Sequence, residues 1–416
     1  MMFETQTRTV PITKEMVRSA YRKVKSNKGA SGVDGQSLSA FEENLLGNLY
    51  VIWNRLSSGS YFPKAVRSVA MPKSDGKLRL LGIPTVSDRI AQQVVKDYLE
   101  PRLENVFHKN SYGYRPLKSA HEAVEEVYKN VRQYSWVVDM DIQSFFDEVN
   151  HELLMKALDK HVAEKWVKLY IKRWLEVPSQ TADGTTTYKD GVGTPQGGVI
   201  SPLLANLYLH YVLDKWLEKH YPIVSFVRYA DDVIVHCYTE DQAKEVLRAI
   251  KARLLECKLR LNETKTKIVY CKSYKRGKAD YAKKFDFLGF SFKPHTAASK
   301  WGGLFLVFGF EISQKSQIRI IQGWKKENWH RRSDLTIADI AERVNKQHVG
   351  IIRYYGKFKI WTLQRLFFRF EFKLVKWLLR KYKHFKGSKS AAYKWIKQQK
   401  KSYPTLFYYW TVLKHV

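Results

Sequence analysis

Apolar and polar positions alternate along this chain with two different periods, and each change of period marks the end of an element. Thr13 can cap a helix running to about Lys25, and the loop at 27–35 (N-K-G-A-S-G-V-D-G) carries three glycines. Phe41, Leu45, Leu49 and Trp53 then recur every fourth position, which predicts one helix over 38–56 with a single buried face. Residues 66–84 form two extended runs around Lys73-Ser74-Asp75-Gly76, a hairpin with Lys73, Lys77 and Arg79 at or beside its turn. Asp88 is expected to cap the following helix and Pro101 to interrupt it. Ser119 and Glu122 have the spacing of a capping box.

The strongest strand lies at 136–142 (W-V-V-D-M-D-I), where alternation places Asp139 and Asp141 on one face of an otherwise apolar run. Helices are predicted from about 150 and over 163–175, followed by a turn-rich hairpin at 181–190. The glycine-rich bend at 193–202 (G-T-P-Q-G-G-V-I-S-P) leads into a helix that is apolar on most sides, with Ser201 as its cap and Pro202 at its first position. Residues 226–237 (F-V-R-Y-A-D-D-V-I-V-H-C) spell a hairpin with Asp231 and Asp232 at its turn. A helix at 240–256, an extended segment at 259–269 containing Asn262 and Lys265, a basic linker at 272–278 and a short strand at 285–292 complete this part. From 311 onward the pattern is helical. In the helix predicted at 363–385, Leu366, Phe370, Leu374 and Trp377 form an apolar stripe beside a basic one of Arg365, Arg369, Lys373, Lys376 and Arg380.

Composition adds a partner. The 416 residues leave room for two or three domains, and 72 Lys and Arg against 40 Asp and Glu give a formal charge of +32, which points to a polyanion. From 351 to the end there are 17 Lys and Arg and one acid, Glu371. Aromatics at 14% add stacking faces, and a nucleic acid uses both features where a membrane surface uses mainly the charge. Three scattered cysteines spell neither a disulfide framework nor a zinc site, and the chain has no apolar signal core or spanning run. The expectation is a soluble protein of a reducing cytoplasm, independent of membranes.

Adjacent carboxylates repel, so the Asp231-Asp232 turn is either screened by water or bridged by a cation. If the strand ending at Asp141 pairs beside that hairpin, three acids converge, and oxygen-preferring divalent cations are the natural compensation. Two such ions hold the attacking and leaving oxygens of an in-line phosphoryl displacement, which is nucleotidyl transfer.

Y-A-D-D, the D-x-x-x-x-F of Asp141 to Phe146, G-T-P-Q-G-G-V-I-S-P and F-L-G-F resemble, in order, the polymerase motifs of reverse transcriptases. N-K-G-A-S-G-V-D-G, the basic hairpin ending L-G-I-P, and S-Y-G-Y-R-P-x-K-S-A-H are similar to blocks of the bacterial group II intron reverse transcriptase and maturase family. Seven ordered blocks over about 280 residues make the resemblance specific.

It implies an α+β right-hand polymerase: fingers over 1–135, palm over 136–295, and a basic helical thumb, or domain X, over 296–416, without the endonuclease domain that many relatives carry. Asp141, Asp231, Asp232 and the carbonyl of Ile142 match the ligands of two Mg²⁺ ions, with Mn²⁺ as a substitute. Phe146 matches the steric gate that excludes a ribose 2′-hydroxyl; a place in the core is the alternative for both Phe145 and Phe146, and the expectation for Phe145. Lys73, Arg79 and Gln196 match groups that hold the incoming nucleotide. Lys265 matches a lysine that protonates pyrophosphate, a simple salt bridge being an equal alternative. Tyr229, Ala230, Gly197 and Phe287, Leu288, Gly289 and Phe290 match primer and template contacts, the last four being the primer grip. The maturase signature corresponds to G-I-I-R-Y-Y-G (350–356), with Ile351 where many relatives have tryptophan; Val199 and Leu117 depart from the commoner proline and glycine.

The implied activity is RNA-directed DNA synthesis from dNTPs on an RNA template with a DNA or RNA primer, together with intron RNA binding in splicing and retrohoming, by a monomer or homodimer. The alternatives are a splicing chaperone with an unused polymerase site, and a reverse transcriptase recruited to defence or a CRISPR system. If about 6–10 phosphates are contacted, affinity should fall by about 10³–10⁵ between 50 and 200 mM salt.

Overall fold

The computed structural model describes residues 10–72, 78–271, 281–298 and 302–413. The chain divides into two compact units, 1–268 and 269–416.

Unit 1 begins with α1 (Lys14–Asn27), capped by the Thr13 side chain, which accepts from the Met16 N–H. The helix expected over 38–56 is two, α2 (Leu38–Glu42) and α3 (Leu45–Ser57). Asn44 leaves the helical conformation, and the Asn48 amide donates to the Phe41 carbonyl, satisfying a helix end that would otherwise be open. β1 (Val66–Pro72) and β2 (Leu78–Ile83) pair antiparallel as predicted; the turn between them, with Lys73 and Lys77, lies outside the described residues.

α4 (Val86–Glu104) corrects two expectations. Its cap is Thr85, which accepts from the Asp88 N–H, while the buried Asp88 carboxylate accepts from the Thr85 and Tyr61 hydroxyls. Pro101 lies inside the helix without ending it, because burial of Leu99 and Leu103 holds the last turn against one lost hydrogen bond. α5 (Ala120–Gln133) starts with the predicted Ser119 and Glu122 capping box.

Next come β3 (Trp136–Asp141), α6 (Phe145–Glu148), α7 (His151–Asp159), α8 (Lys165–Leu175) and a small hairpin of β4 (Ser179–Gln180) and β5 (Thr186–Thr187). α9 (Ser201–Leu209) continues through a π turn (His210–Asp214) into α10 (Lys215–His220). Ser201 is helical and does not cap: the Gln92 side-chain oxygen takes the Val199 and Ile200 N–H groups, and the Ser201 hydroxyl accepts from Thr194. β6 (Ser225–Tyr229), β7 (Asp232–Cys237) and α11 (Glu240–Glu256) lead to β8 (Lys267–Tyr270), and the central sheet has the order β6-β7-β3-β8.

Unit 2 opens with β9 (Phe285–Phe287), β10 (Phe290–Ala298) and β11 (Leu304–Ile312) in one antiparallel sheet. Residue 311 is therefore still strand, and helix begins only at α12 (Gln314–Lys326), capped by Ser313. α13 (Ile337–Lys359), α14 (Gln364–Lys381), α15 (Lys389–Ser402) and α16 (Tyr408–Val412) follow. Leu366, Phe370, Leu374 and Trp377 are buried as predicted, and His348 sits among Trp324, Phe367, Phe370 and Tyr409. Among the described residues no helix is long and apolar enough to cross a membrane. Both units combine helices with antiparallel strands, as an α+β chain should.

Candidate active site

The hairpin β6–β7 turns over two residues. Tyr229 pairs with Asp232, which leaves Ala230 and Asp231 as the loop, and Ala230 takes φ of 56° where glycine is the easier residue. β3 lies on the other side of β7, and its last pair is Asp141 opposite Asp232. The spatial condition posed by the sequence is thus met in the backbone register: one acid ends a central strand, and two more sit at the adjoining turn.

The turn is held from below. Arg228, fully buried, donates through Nε and Nη2 to the two carboxylate oxygens of Asp214 at 2.8 and 2.6 Å. Its Nη1 donates to Asn206 Oδ1 at 2.9 Å and to the Ala230 carbonyl at 3.1 Å. Burial pushes the Asp214 carboxyl up, but the Arg228 charge, His210 and their hydrogen bonds outweigh it and leave the group below its ordinary value. Asn206 donates to the Gly113 carbonyl, and a Cβ on Gly113 would meet the Ala230 nitrogen at 2.4 Å. The S-Y-G-Y segment therefore lies directly against the acidic turn.

Above the turn is a cavity of about 1000 Å³, lined by Asp141, Ile142, Phe146, Arg79, Gln196, Gly197, Lys265 and Asp231 among others. Eight of the predicted site residues thus meet at one place. Burial, and then Asp231, Asp141 and Asp139, push the Asp232 carboxyl up to about 7; Asp231 is raised by burial, with Asp141 adding to it. Lys265 Nζ lies 3.1 Å from Asp141 Oδ2, and Asn262 donates to the same oxygen at 3.1 Å, so the salt bridge foreseen for Lys265 is present. Lys267 reaches Asp139 at 3.6 Å.

Ile142 bridges to Leu261 through the Gln143 N–H and the Asp141 carbonyl, a pattern that leaves the Ile142 carbonyl pointing away from Leu261. Among the described residues no three acidic, histidine or cysteine side chains are already drawn together to hold an ion by themselves. The donors at hand are carboxylate and carbonyl oxygens, and these fit a hard divalent cation.

Phe145 is buried in the core, whereas Phe146 is half-buried and faces the cavity. Gly197 has φ of 122°, and a Cβ there would lie 2.5 Å from the Gly82 carbonyl; the Gln196 carbonyl accepts from the Gly82 N–H. The glycine-rich bend is thereby fastened to the end of β2. Tyr114, given no role of its own within the S-Y-G-Y-R-P block, also lines the cavity with φ of 56°.

In unit 2, Leu288 and Gly289 make the turn between β9 and β10 with φ of 47° and 82°. Phe287 and Phe290 are each 2% exposed, so only the Leu288-Gly289 turn is available for contact. The Tyr354 hydroxyl donates to the Leu288 carbonyl, and a Cβ on Gly289 would meet the Tyr355 hydroxyl at 2.9 Å. Two tyrosines of the R-Y-Y-G segment thus brace this turn. Of the basic stripe, Arg365, Arg369, Lys376 and Arg380 are exposed and Lys373 is buried.

Reverse transcriptase (RNA-dependent DNA polymerase) is the family whose profile matches residues 71–292, more than half of the chain and all of the cavity just described. The chain belongs to that family. The right-hand polymerase fold expected above is this family's fold, and its members are RNA-dependent DNA polymerases. The protein YkfC of Escherichia coli K12 is 34% identical over 294 residues, covering 61% of this chain and 76% of YkfC. The group II intron-encoded protein LtrA of Lactococcus lactis is 35% identical over 201 residues, covering 48% of this chain but only 33% of LtrA. A solved apo telomerase of Candida tropicalis matches 55% of this chain and 53% of its own at a TM-score of 0.44 and 14% identity.

Proposed function

We propose that this chain extends a DNA or RNA primer on an RNA template, using Asp141, Asp231 and Asp232 as the metal-binding acids and the Ile142 carbonyl as a further ligand. The observation that carries this reading is the register: Asp141 faces Asp232 across adjacent strands, with Asp231 at the turn of the same hairpin. Mg²⁺ bound there, with Mn²⁺ as a substitute, would activate the primer 3′-hydroxyl and neutralise charge on the leaving pyrophosphate. The protein's own part is placement. Phe146 closes the cavity where a ribose 2′-hydroxyl would lie, Arg79 offers a guanidinium to the triphosphate, and Gln196 with Gly197 forms the wall against which nucleotide and template rest. Lys73 shares the Arg79 role on resemblance alone. Lys265, ion-paired with Asp141, would pass a proton from Nζ to the departing pyrophosphate on the resemblance alone.

Fingers over 1–135, palm over 136–295 and thumb over 296–416 follow from the same reading, with Tyr229 and Ala230 beside the primer terminus, the Leu288-Gly289 turn as its grip, and Arg365, Arg369, Lys376 and Arg380 as phosphate contacts. Relatives described as intron-encoded support binding of group II intron RNA as a maturase. Primer extension tests the site: wild type should extend a DNA primer on an RNA template with Mg²⁺ and stop in EDTA. Asp231→Ala should lose activity by at least about 10³-fold, several kcal/mol of barrier, while RNA binding persists. Retained synthesis in that variant would refute the assignment.

A further inference from the structure

Unit 2 holds a cavity of about 680 Å³ among α12, the turn that follows it and α14. Five cations line it: Lys325 from α12, Arg331 from the turn, and Arg369, Lys373 and Lys376 from α14. Among the described residues no carboxylate lines it. Glu371, the acid of α14, is occupied elsewhere, where it accepts from the Tyr409 hydroxyl.

Lys373 is the anomaly. It is 8% exposed, and among the described residues it has neither a hydrogen bond nor an ion pair. Burial lowers its pKa, and Lys325 and Lys376 lower it further. His330 is lowered by burial and then by Lys373, Arg331, Lys376 and Arg380, and among the described residues its buried Nδ1 has no hydrogen-bond partner. A lysine with its stem buried and its ammonium open to a cavity of like charges is stabilised by an anion that completes the site.

The rim says which anion. Phe368 is 57% exposed and lies parallel to Tyr393, at 9° with ring centres 6.4 Å apart, so the ring has an aromatic neighbour and still offers surface for stacking. Phe372 beside it is 37% exposed, with Lys376 Nζ 4.9 Å from its ring centre. A duplex presents its phosphates on a convex surface with its bases stacked inside. A concave basic cavity with an aromatic edge instead suits an unstacked nucleotide, the phosphate inside and the base on the ring. We propose that this cavity binds single-stranded nucleic acid, with a backbone phosphate on Lys373 and Arg369 and a base on Phe368. The inference rests on the polymerase reading only for nucleic acid as the polyanion; the charge and the shape stand without it.

The test uses the full chain without metal or dNTPs, and compares a fluorescent short oligouridine RNA with an RNA duplex of equal length. Phe368→Ala removes a surface ring and no core, and its melting temperature verifies that. It should weaken single-strand binding by roughly 5–100-fold and leave duplex binding within about twofold. Lys373→Met keeps the buried stem and should flatten the salt dependence for the single strand by about 0.7 in log–log slope. Photocrosslinking with 5-iodouridine RNA should yield adducts in α14. Equal losses on both RNAs, no loss on either, or adducts confined to other parts of the chain would overturn the proposal. Running the same assays with Asp231→Ala separates the two readings: if that variant loses synthesis while Phe368→Ala changes nothing, the cavity is refuted and the polymerase stands, and the opposite pattern refutes the polymerase site alone.

Discussion

The chain gathers like charges twice, and it supports them in different ways. In unit 1 Asp231 and Asp232 sit at a backbone turn clamped by a buried Arg228–Asp214 pair, with Asn206 and Gly113 pressed against it and Asp141 on the adjoining strand. In unit 2 the cations sit at the ends of long side chains around a cavity, and Lys373 alone has its stem buried. The metal-assisted transfer proposed for unit 1 would depend on placement to a fraction of an ångström, which acids on short side chains and a locked turn can supply. Phosphate attraction tolerates movement, so flexible lysine and arginine side chains suffice.

The comparison breaks most readily at the clamp. Arg228→Met leaves Asp214 buried without its partner and should cost roughly 3–5 kcal/mol in denaturant unfolding. Adding Asp214→Leu should restore most of that stability, because an apolar pair of similar volume fills the same space. If the clamp positions the acids, the restored double variant still synthesises DNA slowly and needs more Mg²⁺ for half-maximal rate. Normal synthesis would show that the turn stands without it.

Unit 2 should also answer to pH. His348 is buried among rings, and burial holds it down to about 3. A folded pKa below the unfolded one means that its stability contribution is complete above about 6.5 and is lost as pH falls toward 3. The loss should reach about 3 kcal/mol at pH 4, at 1.36 kcal/mol per unit. His348→Phe should remove that part of the acid sensitivity in thermal melts.

Two smaller effects sharpen the contrast. Phe146→Ala should admit ribonucleotides, raising their relative kcat/KM by on the order of 10–100-fold, with dNTP incorporation less affected. Tyr354→Phe deletes the hydroxyl that donates to the Leu288 carbonyl. It should cost about 1 kcal/mol in stability and raise the apparent KM for primer more than it lowers kcat.

The candidate site was legible to an unusual depth because its residues cluster in short blocks: an acid pair in an apolar hairpin and a second acid at the end of an apolar strand are local patterns. Two of the errors, the helix caps, came from a competing hydrogen bond. Asp88 looked like a cap because it precedes an apolar run, yet Thr85 caps the helix and Asp88 serves Thr85 and Tyr61. Ser201 lost the same role to Gln92, 107 residues from the nearer N–H that it satisfies. Arg228 carried a visible signal, a cation inside an apolar strand, but its partner Asp214 lies within an apolar helix and nothing nearby joins them.

Taken alone, the order of residues determined the kind of chemistry, the basic character of the last helices and the apolar faces that build the core, since charge and periodicity are properties of short stretches. Tertiary structure decided which acids face one another, which arginine is buried beneath them and which lysine of the basic stripe turns inward. Those outcomes depend on contacts between segments far apart in the chain, where the desolvation of a charge is set by whatever packs around it.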